Sequence, residues 1–362
     1  MSATEEVSEA VGRFQVVGKV VGADPFGTGH INDSYRVVLR DGGMNRLFLL
    51  QRINTRIFTN PAALMQNMER VTSHIANLME GSPDADRRML TLIPSDDGSS
   101  FHFDAHGGCW RMMRFIDGTQ ALERIESTQQ AFQIAAAFGR FQQQVASLPP
   151  PRLNDTIPDF HNTLKRFAAL EKAIESDVEN RAQFAKFEID FAMTRKSITT
   201  ALLDANLPER VTHNDTKSSN VLLDDITGEG LCVIDLDTVM PGLAPYDFGD
   251  MVRSMTSPAA EDERDLSRVG MQFPVFEALA RGYLSSAGHL LTAREKQFLA
   301  ISGKVITFEN GIRFLSDHLN GDQYYKVYRE GQNLDRCRAQ FKLVESIEQQ
   351  EDQMNRLVET LS

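Results

Sequence analysis

A change in hydrophobic pattern constrains the fold of this chain more than any other feature. Three runs in the first third are rich in β-branched and aromatic residues and are punctuated by glycine or Asp-Gly: RFQVVGKVVG, SYRVVLRDGG and NRLFLLQRI. Such runs predict an antiparallel sheet. The next segment predicts one helix, because Asn60 can cap it, Pro61 suits its first turn and its apolar residues recur at helical spacing.

The remainder of the chain divides into a short β region and a long helical one. Three more runs predict strands: MLTLIP, SFHFDA and CWRMMRFI. After IDGT at 116–119 the pattern is typical of helices over 121–147, 162–175, 178–204, 274–287, 293–318 and 334–360. Short apolar runs flanked by carboxylates predict small strands in 209–237. We therefore predict an α+β fold, with a β-rich lobe over residues 1–116 and a mainly helical lobe over residues 117–362.

Composition narrows the classes of function. The 362 residues are 41% hydrophobic, which is enough for a substantial core, and the formal charge is −12. This acidity disfavours nucleic acid or an anionic membrane as the main partner. No apolar run approaches the ~20 residues of a membrane helix. The three cysteines lack a CxxC spacing, which argues against a disulfide framework. We expect a cytoplasmic protein, a monomer or a weak homo-oligomer, that acts on a small molecule.

The polar segment VTHNDTKSSNVLLDD, residues 211–225, has the order of a phosphotransfer site. Asp215 and Asn220 lie five positions apart, and Asp235 follows the apolar run LCVI. In such sites one aspartate accepts a proton from the attacking hydroxyl, while an asparagine and a second aspartate bind Mg²⁺. Each of these residues alone is more often a turn former. Their order is what predicts function, with His213 as an orienting residue rather than the base.

The motifs HNDTKSSN and VIDLD resemble the catalytic loop and metal motif of the protein-kinase-like fold, in its aminoglycoside and choline phosphotransferase branch. This resemblance implies a two-lobe fold that uses ATP and Mg²⁺. It implies Asp215 as the catalytic base, Asn220 and Asp235 as magnesium ligands and Asp237 as an accessory to the metal site.

Two glycines and one arginine are candidates for binding the phosphates of ATP. Gly27 and Gly29 in DPFGTGHINDSYRV would let backbone N–H groups approach a phosphate, although an ordinary hairpin turn is the alternative. The fold implies a lysine in the third strand, but the strand reads FLLQRI. Arg52 is therefore the candidate cation and Glu69 its helix partner, and a solvated strand arginine is the alternative.

The segment WRMMRFIDG is the candidate adenine contact. The resemblance places here the connection between the lobes, where the carbonyl of Arg114 and the N–H of Ile116 would bond the adenine edge.

Longer phrases bear on the acceptor. They resemble the N-acetylhexosamine 1-kinase family, which phosphorylates the anomeric hydroxyl of N-acetylglucosamine or N-acetylgalactosamine: GTGHINDSY, LLQRINTRIF, IPDFHNT, VIDLDTVMPG, DFGDMVRS and GIRFLSDHLNGDQYYKV. The resemblance implies that Asp215 orients the sugar hydroxyl and that Arg313 and Tyr324 contact the sugar, with His30 and Asp33 lining the same pocket. Hydroxyl and acetamide groups suit such donors and acceptors.

Two other functions remain open. A kinase for choline, ethanolamine or an aminoglycoside would need an anionic or aromatic pocket for its cationic acceptor, and the sequence has no evident aromatic cage. A non-catalytic nucleotide-binding scaffold would have no need of all three residues of the predicted catalytic set.

Two further clusters are expected to be structural. Asp247 and Asp250 in YDFGD are expected to cap a helix or to form an internal salt bridge. His102, His106 and Cys109 lie in a predicted hairpin with no fourth ligand nearby, so we do not expect them to bind zinc.

Overall fold

The computed structural model describes residues 3–27 and 31–361. The strands, in chain order, are β1 (Lys19–Pro25), β2 (Asp33–Asp41), β3 (Met44–Ile53), β4 (Leu92–Ile93), β5 (His102–Phe103), β6 (Cys109–Arg114), β7 (Thr119–Ala121), β8 (Arg210–Thr212), β9 (Val221–Asp224), β10 (Gly230–Val233) and β11 (Met240–Gly242). The helices are α1 (Ala3–Val11), α2 (Pro61–Leu78), α3 (Ala85–Arg88), α4 (Thr128–Val145), α5 (Thr163–Ser176), α6 (Lys186–Thr194), α7 (Ala244–Met255), α8 (Phe273–Ala287), α9 (Ala293–Gln297), α10 (Leu299–Leu319) and α11 (Gln332–Leu361).

The chain forms two compact units. The first comprises Met1–Gln120, Ser147–Ile157 and Leu222–Met240, and the second comprises Ala121–Ala146, Pro158–Val221 and Pro241–Ser362. The predicted α+β class is confirmed, with an antiparallel sheet early in the chain and helices dominating the rest. The lobe boundary between residues 116 and 117 stays a prediction.

The main sheet of the first unit has the strand order β1-β2-β3-β6-β4, and β5 also pairs with β6. All of these pairs are antiparallel, as the short turns predict. Helix α2 begins as predicted, since the side chain of Asn60 accepts a hydrogen bond from the N–H of Ala63 (3.1 Å). Two small sheets, β10-β9-β7 and β11-β8, contain the strands predicted within 209–237.

Helix α1 was not predicted, because its sequence is mostly acidic and polar and its apolar stripe is short. Val7, Ala10 and Val11 lie three and four positions apart and are buried in one core cluster with Leu50 and Trp110. Spacing of this kind places the three side chains on one helix face. The N-terminal segment thus covers one face of the main sheet.

The second unit is built on helix pairs in close contact. A Cβ at Gly282 of α8 would lie 2.3 Å from the carbonyl oxygen of Phe132 in α4, so only glycine permits this approach. The aromatic rings of α5, α10 and α11 fill another core, where Phe308 stacks on Phe167 and Phe341 at 6.4 and 6.0 Å between centroids.

Two of the predicted helices are interrupted. The range 178–204 holds α6 between two 3₁₀ turns, because the carboxylate of Asp177 accepts hydrogen bonds from the N–H groups of Arg181 (2.7 Å) and Ala182 (3.0 Å) and starts a new turn there. The range 293–318 is divided at Phe298 into α9 and α10.

Helix α7 was not predicted either. Nearly all of its residues are buried, including the polar residues Asp247 and Asp250, so its polar stripe faces the protein interior rather than solvent. None of the helices in the described ranges is long and apolar enough to cross a lipid bilayer.

Candidate active site

The loop after β8, residues 213–220, is held in place by Asp247 of α7. The buried carboxylate of Asp247 accepts hydrogen bonds from the N–H groups of His213 (3.0 Å) and Asn214 (2.7 Å), and its carbonyl accepts one from the hydroxyl of Thr216 (2.6 Å). Asn214 has a positive φ of 66°, which its short polar side chain tolerates. Sequence analysis expected a cap or a salt bridge here and missed this backbone clamp.

Asp215 is a partly exposed carboxylate held by two donors. Its Oδ2 accepts hydrogen bonds from Nζ of Lys217 (2.9 Å) and Nδ2 of Asn220 (3.0 Å), and its side chain is 26% exposed. Within the described part of the chain, Oδ1 makes no hydrogen bond. One oxygen of the carboxylate is therefore positioned while the other can accept a hydrogen bond from a substrate hydroxyl.

The charge of Asp215 is set by its surroundings. Burial raises the pKa of this carboxyl, but the charge and hydrogen bond of Lys217, together with the charge of Arg253, lower the pKa to about 2. Asp215 is therefore ionised at neutral pH. A carboxylate this acidic is a good hydrogen-bond acceptor but a weak base, which suits proton transfer late in the reaction.

Asn220 and His213 both contact Asp215, Asn220 as a hydrogen-bond donor and His213 as an acceptor. The amide nitrogen of Asn220 donates to both the backbone carbonyl (2.8 Å) and the carboxylate of Asp215, which leaves the amide oxygen as a potential metal ligand. The ring of His213 is buried against Phe138 and Phe141, and its Nδ1 accepts a hydrogen bond from the N–H of Asp215 (3.3 Å). This placement fits an orienting role.

His161 is a second buried histidine at this loop, and sequence analysis gave it no role. Its Nδ1 lies 2.8 Å from a carboxylate oxygen of Glu309, and its Nε2 lies 3.1 Å from the carbonyl oxygen of Asn214. Burial raises the pKa of Glu309, but His161 outweighs it and the pKa is lowered. Both ring nitrogens of His161 therefore face oxygen atoms, which fixes the position of the ring beside the loop. The phrase IPDFHNT contained this residue but not its partners.

Asp235 lies in the first unit, at a sharp turn after β10. It adopts a left-handed conformation (φ 60°, ψ 58°) and is followed by a 3₁₀ turn over Leu236–Thr238. A non-glycine residue in this conformation is sparsely populated and is characteristic of functional turns. The carboxylate predicted to bind Mg²⁺ therefore lies on a geometrically defined turn.

The contacts of Asp237 argue against the accessory metal role expected for it. One of its carboxylate oxygens accepts a hydrogen bond from Arg111, and the other accepts one from Nδ2 of Asn32 (2.6 Å). Both partners are protein donors and the side chain is 3% exposed, so Asp237 is a structural acceptor in the interior of the first unit.

The expected pairing of Arg52 with Glu69 is wrong. Arg52 pairs instead with Glu6 of α1 (3.1 Å) and its guanidinium lies 5.6 Å from the ring centroid of Trp110, while Glu69 is exposed. Strand side chains alternate between faces, and Arg52 shares its face with the buried Leu50 that packs under α1. This placement argues against Arg52 as the cation for the nucleotide phosphates.

The glycine-rich segment is described in part. Gly27 has a positive φ of 83°, and nothing lies within 4 Å of a Cβ built there, so the residue is required by its turn conformation. Gly29 and His30 lie outside the described residues. Asp33 is exposed at the start of β2, opposite Arg52 in the strand register. The roles assigned to these residues stay predictions.

The predicted adenine contacts lie at the end of β6. The N–H of Arg114 donates to the carbonyl of Thr91 (2.9 Å), and its side chain pairs with Asp86. Ile116 is buried in a small cluster with Leu231 and Cys232. An apolar cluster of this kind suits the edge of an adenine site, and the backbone contacts themselves stay predictions.

Arg313 and Tyr324 belong to an aromatic cluster in the second unit. The guanidinium of Arg313 lies 5.4 Å from the ring centroid of Phe160 and 5.7 Å from that of Tyr325. It makes no hydrogen bond or ion pair within the described residues. Tyr324 is 54% exposed and contacts Tyr325 edge-on. The cluster therefore presents a guanidinium whose donors can serve a ligand.

Electrostatic interactions join Arg313 to other charged groups of the same unit. Burial lowers the pKa of Arg313, but Tyr325, Glu309 and Tyr324 outweigh burial and the pKa is raised. Arg253 acts on both Arg313 and Asp215. Arg253 itself forms the internal salt bridge expected for Asp250, at 2.7 Å.

The donor chemistry fits Mg²⁺ better than zinc. Among the described residues, no group of three or more His, Cys, Asp or Glu side chains is arranged to hold a metal ion. Mg²⁺ needs no such group, since it binds one or two protein carboxylates together with phosphate oxygens and water. At the cluster with His102 and His106, burial raises the pKa of Cys109 to about 12, so its sulfur is a thiol rather than a metal-binding thiolate.

The antiparallel sheet of the first unit and the helices of the second are those of a kinase-like phosphotransferase fold. Residues 22–281, more than half of the chain, match the model of APH, the phosphotransferase enzyme family. The chain belongs to this family.

Solved structures with the same fold are distant in sequence. One is an aminoglycoside phosphotransferase from Alicyclobacillus acidocaldarius, with 12% identity and a TM-score of 0.62 over 97% of this chain and 96% of that one. Another is a choline/ethanolamine kinase family protein from Mesorhizobium loti, with 16% identity and a TM-score of 0.58 over 99% of each chain. A microcompartment-associated aminopropanol kinase has 16% identity and a TM-score of 0.57 over 97% and 98%. These similarities show the fold.

Proposed function

We propose that this phosphotransferase transfers the γ-phosphoryl group of ATP to the anomeric hydroxyl of an N-acetylhexosamine, N-acetylglucosamine or N-acetylgalactosamine, to give the sugar 1-phosphate. The choice of a neutral acceptor is carried by Arg313, a guanidinium between two aromatic rings with no hydrogen-bonding partner in the described chain.

The charges around Arg313 disfavour a cationic acceptor. Arg166 and Arg253 each act electrostatically on Arg313, so three positive groups lie in this region of the second unit. The carboxylate that also acts on Arg313, that of Glu309, is already paired with His161 and Thr163. A choline or aminoglycoside pocket would offer carboxylates or free aromatic faces to its ligand. Here the faces of Phe160 and Tyr325 are next to a protein cation. Neutral hydroxyl and acetamide oxygens can instead accept hydrogen bonds from the guanidinium.

The proposed chemistry assigns each residue one task. Oδ1 of Asp215 accepts a hydrogen bond from the sugar O1 hydroxyl and takes its proton late, while Lys217 and Asn220 keep the other oxygen in place. The amide oxygen of Asn220 and the carboxylate of Asp235 would hold Mg²⁺. The metal ion would neutralise charge on the phosphates.

Sugar and nucleotide contacts complete the proposal. Arg313 and Tyr324 would bind the acceptor, with Asp33 and His30 as further contacts. Gly27 and Gly29 would provide backbone donors to the phosphates, and the backbone of Arg114 and Ile116 would bond the adenine edge. Positioning and electrostatics supply most of the catalysis in such sites.

Substitution of Arg313 tests the choice of acceptor. The Arg313→Met variant should raise the KM for the N-acetylhexosamine by about 10-fold or more, the loss expected for one or two hydrogen bonds to a charged donor, and leave the KM for ATP unchanged. Arg281→Met is the control, because Arg281 is an exposed helix residue paired with Glu277 at 2.7 Å.

The cationic acceptors are the alternative, and the aminopropanol, choline/ethanolamine and aminoglycoside kinases among the similar structures motivate it. Removal of a positive charge should improve the binding of such acceptors. A wild-type enzyme that uses choline, ethanolamine or an aminoglycoside in preference to sugars, with a lower KM in Arg313→Met, would overturn the proposal.

A further inference from the structure

The interior of the first unit contains a charged network that the proposed reaction has not used. Arg111 of β6 is 1% exposed and forms an ion pair with Asp237, which is 3% exposed. Its Nε donates to the side-chain oxygen of Gln51 (2.9 Å), and Nη1 also lies 3.5 Å from the sulfur of Met68. A buried ion pair stabilises the folded protein little more than apolar residues of similar volume would. Stability alone therefore does not account for this pair.

Arg111 is on the face of the sheet opposite to Arg52. The strand register pairs Gln51 with Arg111 and Arg52 with Trp110, and paired residues share a face. The face with Trp110 packs under α1, whereas Arg111 reaches the side of α2, where Met65 and Met68 lie. The cation on the α2 face therefore comes from β6, and β3 contributes Gln51 in place of a lysine.

The network extends from Arg111 to two functional segments. Asp237 belongs to the 3₁₀ turn that directly follows Asp235. Its second oxygen accepts from Asn32, whose Oδ1 accepts in turn from the N–H of Asn54 (3.0 Å). Asn32 follows the glycine-rich segment closely in sequence. Asp237, the partner of Arg111, thus connects the turn of the proposed metal ligand to Asn32, which directly precedes β2.

We propose that Arg111 is a positioning residue for the metal-nucleotide complex: through its ion pair with Asp237 it fixes the turn that presents Asp235 to Mg²⁺, and so replaces the absent strand lysine in organising the phosphate site. This inference rests on the metal role proposed for Asp235, but not on the identity of the acceptor.

The test measures ATP binding calorimetrically in the absence of any acceptor, at increasing free Mg²⁺ and with EDTA as the metal-free reference. It compares the wild type with Arg111→Met, Arg111→Lys and the double variant Arg111→Met/Asp237→Leu. The double variant replaces both charges with apolar groups, which avoids leaving a buried carboxylate unpaired. Arg40→Met is the control, since Arg40 is an exposed arginine of β2 that contacts Asn45. Thermal unfolding confirms that each variant is folded.

In Arg111→Met and in the double variant, ATP binding should become tighter only at higher free Mg²⁺. We expect the Mg²⁺ concentration that gives half of this effect to rise about 10-fold or more. A tenfold change in an equilibrium constant corresponds to ~1.4 kcal/mol. Binding with EDTA should change little. Arg111→Lys should be intermediate, because a lysine can pair with Asp237 but lacks the planar fork that also reaches Gln51.

A stable double variant with wild-type Mg²⁺ dependence would overturn the proposal, because the pair would then be structural only. A wild type whose ATP binding does not respond to Mg²⁺ would also overturn it, together with the metal role of Asp235. Turnover of N-acetylhexosamines is measured separately, so a failure of the sugar assignment leaves the result of the binding experiment intact.

Discussion

Asp215 is the residue on which the proposed chemistry depends most. The Asp215→Asn substitution preserves the shape of the side chain and removes its capacity to take a proton. General-base catalysis contributes roughly 10²–10⁴-fold to rate, so kcat should fall by about this factor while the dissociation constant for ATP stays the same. Steady-state kinetics and calorimetric titration measure the two quantities. Wild-type turnover in the variant would remove Asp215 from the mechanism.

Lys217 controls the ionisation of Asp215 and gives a second prediction at this scale. Burial has the largest influence on the pKa of Asp215 and raises it. The charge and hydrogen bond of Lys217 come next and lower it, and the resulting pKa is about 2. In Lys217→Met the lowering influence is lost and the pKa of Asp215 rises. The carboxylate is then protonated at a higher pH, so the acidic fall of kcat should move to higher pH than in the wild type.

The control for this pH profile is Lys165→Met. Lys165 is an exposed lysine paired with Asp159 at 2.6 Å in the same unit, and its removal should leave the profile unchanged. Superimposable profiles for the wild type and Lys217→Met would contradict the assignment.

At the scale of elements, α7 positions the catalytic loop. The carboxylate of Asp247 uses both oxygens for backbone N–H groups of that loop, and an asparagine can accept with only one. Asp247→Asn should therefore leave a buried N–H unsatisfied and reduce the free energy of unfolding by about 1–3 kcal/mol. It should also reduce kcat, because Asp215 follows the clamped residues directly. Chemical denaturation and kinetics measure these effects.

Asp190→Asn is the control for Asp247→Asn, because Asp190 is an exposed aspartate of α6. Wild-type stability and kcat in Asp247→Asn would show that α7 does not hold the loop.

Helices whose apolar residues recur along one exposed-to-buried boundary were predictable from sequence. Helices that are buried all round, or that are interrupted by a local hydrogen-bonded turn, were not. Helix α2 shows its cap, its proline and its apolar stripe within residues 60–78. In helix α7 the polar residues Asp247 and Asp250 are themselves buried, so they do not mark a solvent-exposed face. The break before α6 depends on the carboxylate of Asp177 accepting from two backbone N–H groups. A turn of this kind competes with the helix locally, and periodicity alone does not reveal it.

At the scale of the whole molecule, the order of the motifs was enough to predict a kinase-like phosphotransferase, and the family match over residues 22–281 agrees. Long-range partners were not predictable. Asp237 and Arg111 are 126 positions apart, and His161 and Glu309 are 148 apart. Arg52 was chosen because it lies in the expected strand, yet the pleat of that strand directs it to Glu6. Only the folded sheet distinguishes the two faces.

The identity of the acceptor is the central claim, and product analysis tests it most directly. The wild-type protein is incubated with ATP and Mg²⁺ and, separately, with N-acetylglucosamine, N-acetylgalactosamine, glucose, galactose, choline, ethanolamine and an aminoglycoside, and ³¹P NMR identifies the phosphorylated position. The proposed function predicts an anomeric phosphate formed from an N-acetylhexosamine in preference to the other acceptors. Phosphorylation of choline, ethanolamine or the aminoglycoside, with the N-acetylhexosamines unreacted, would contradict it.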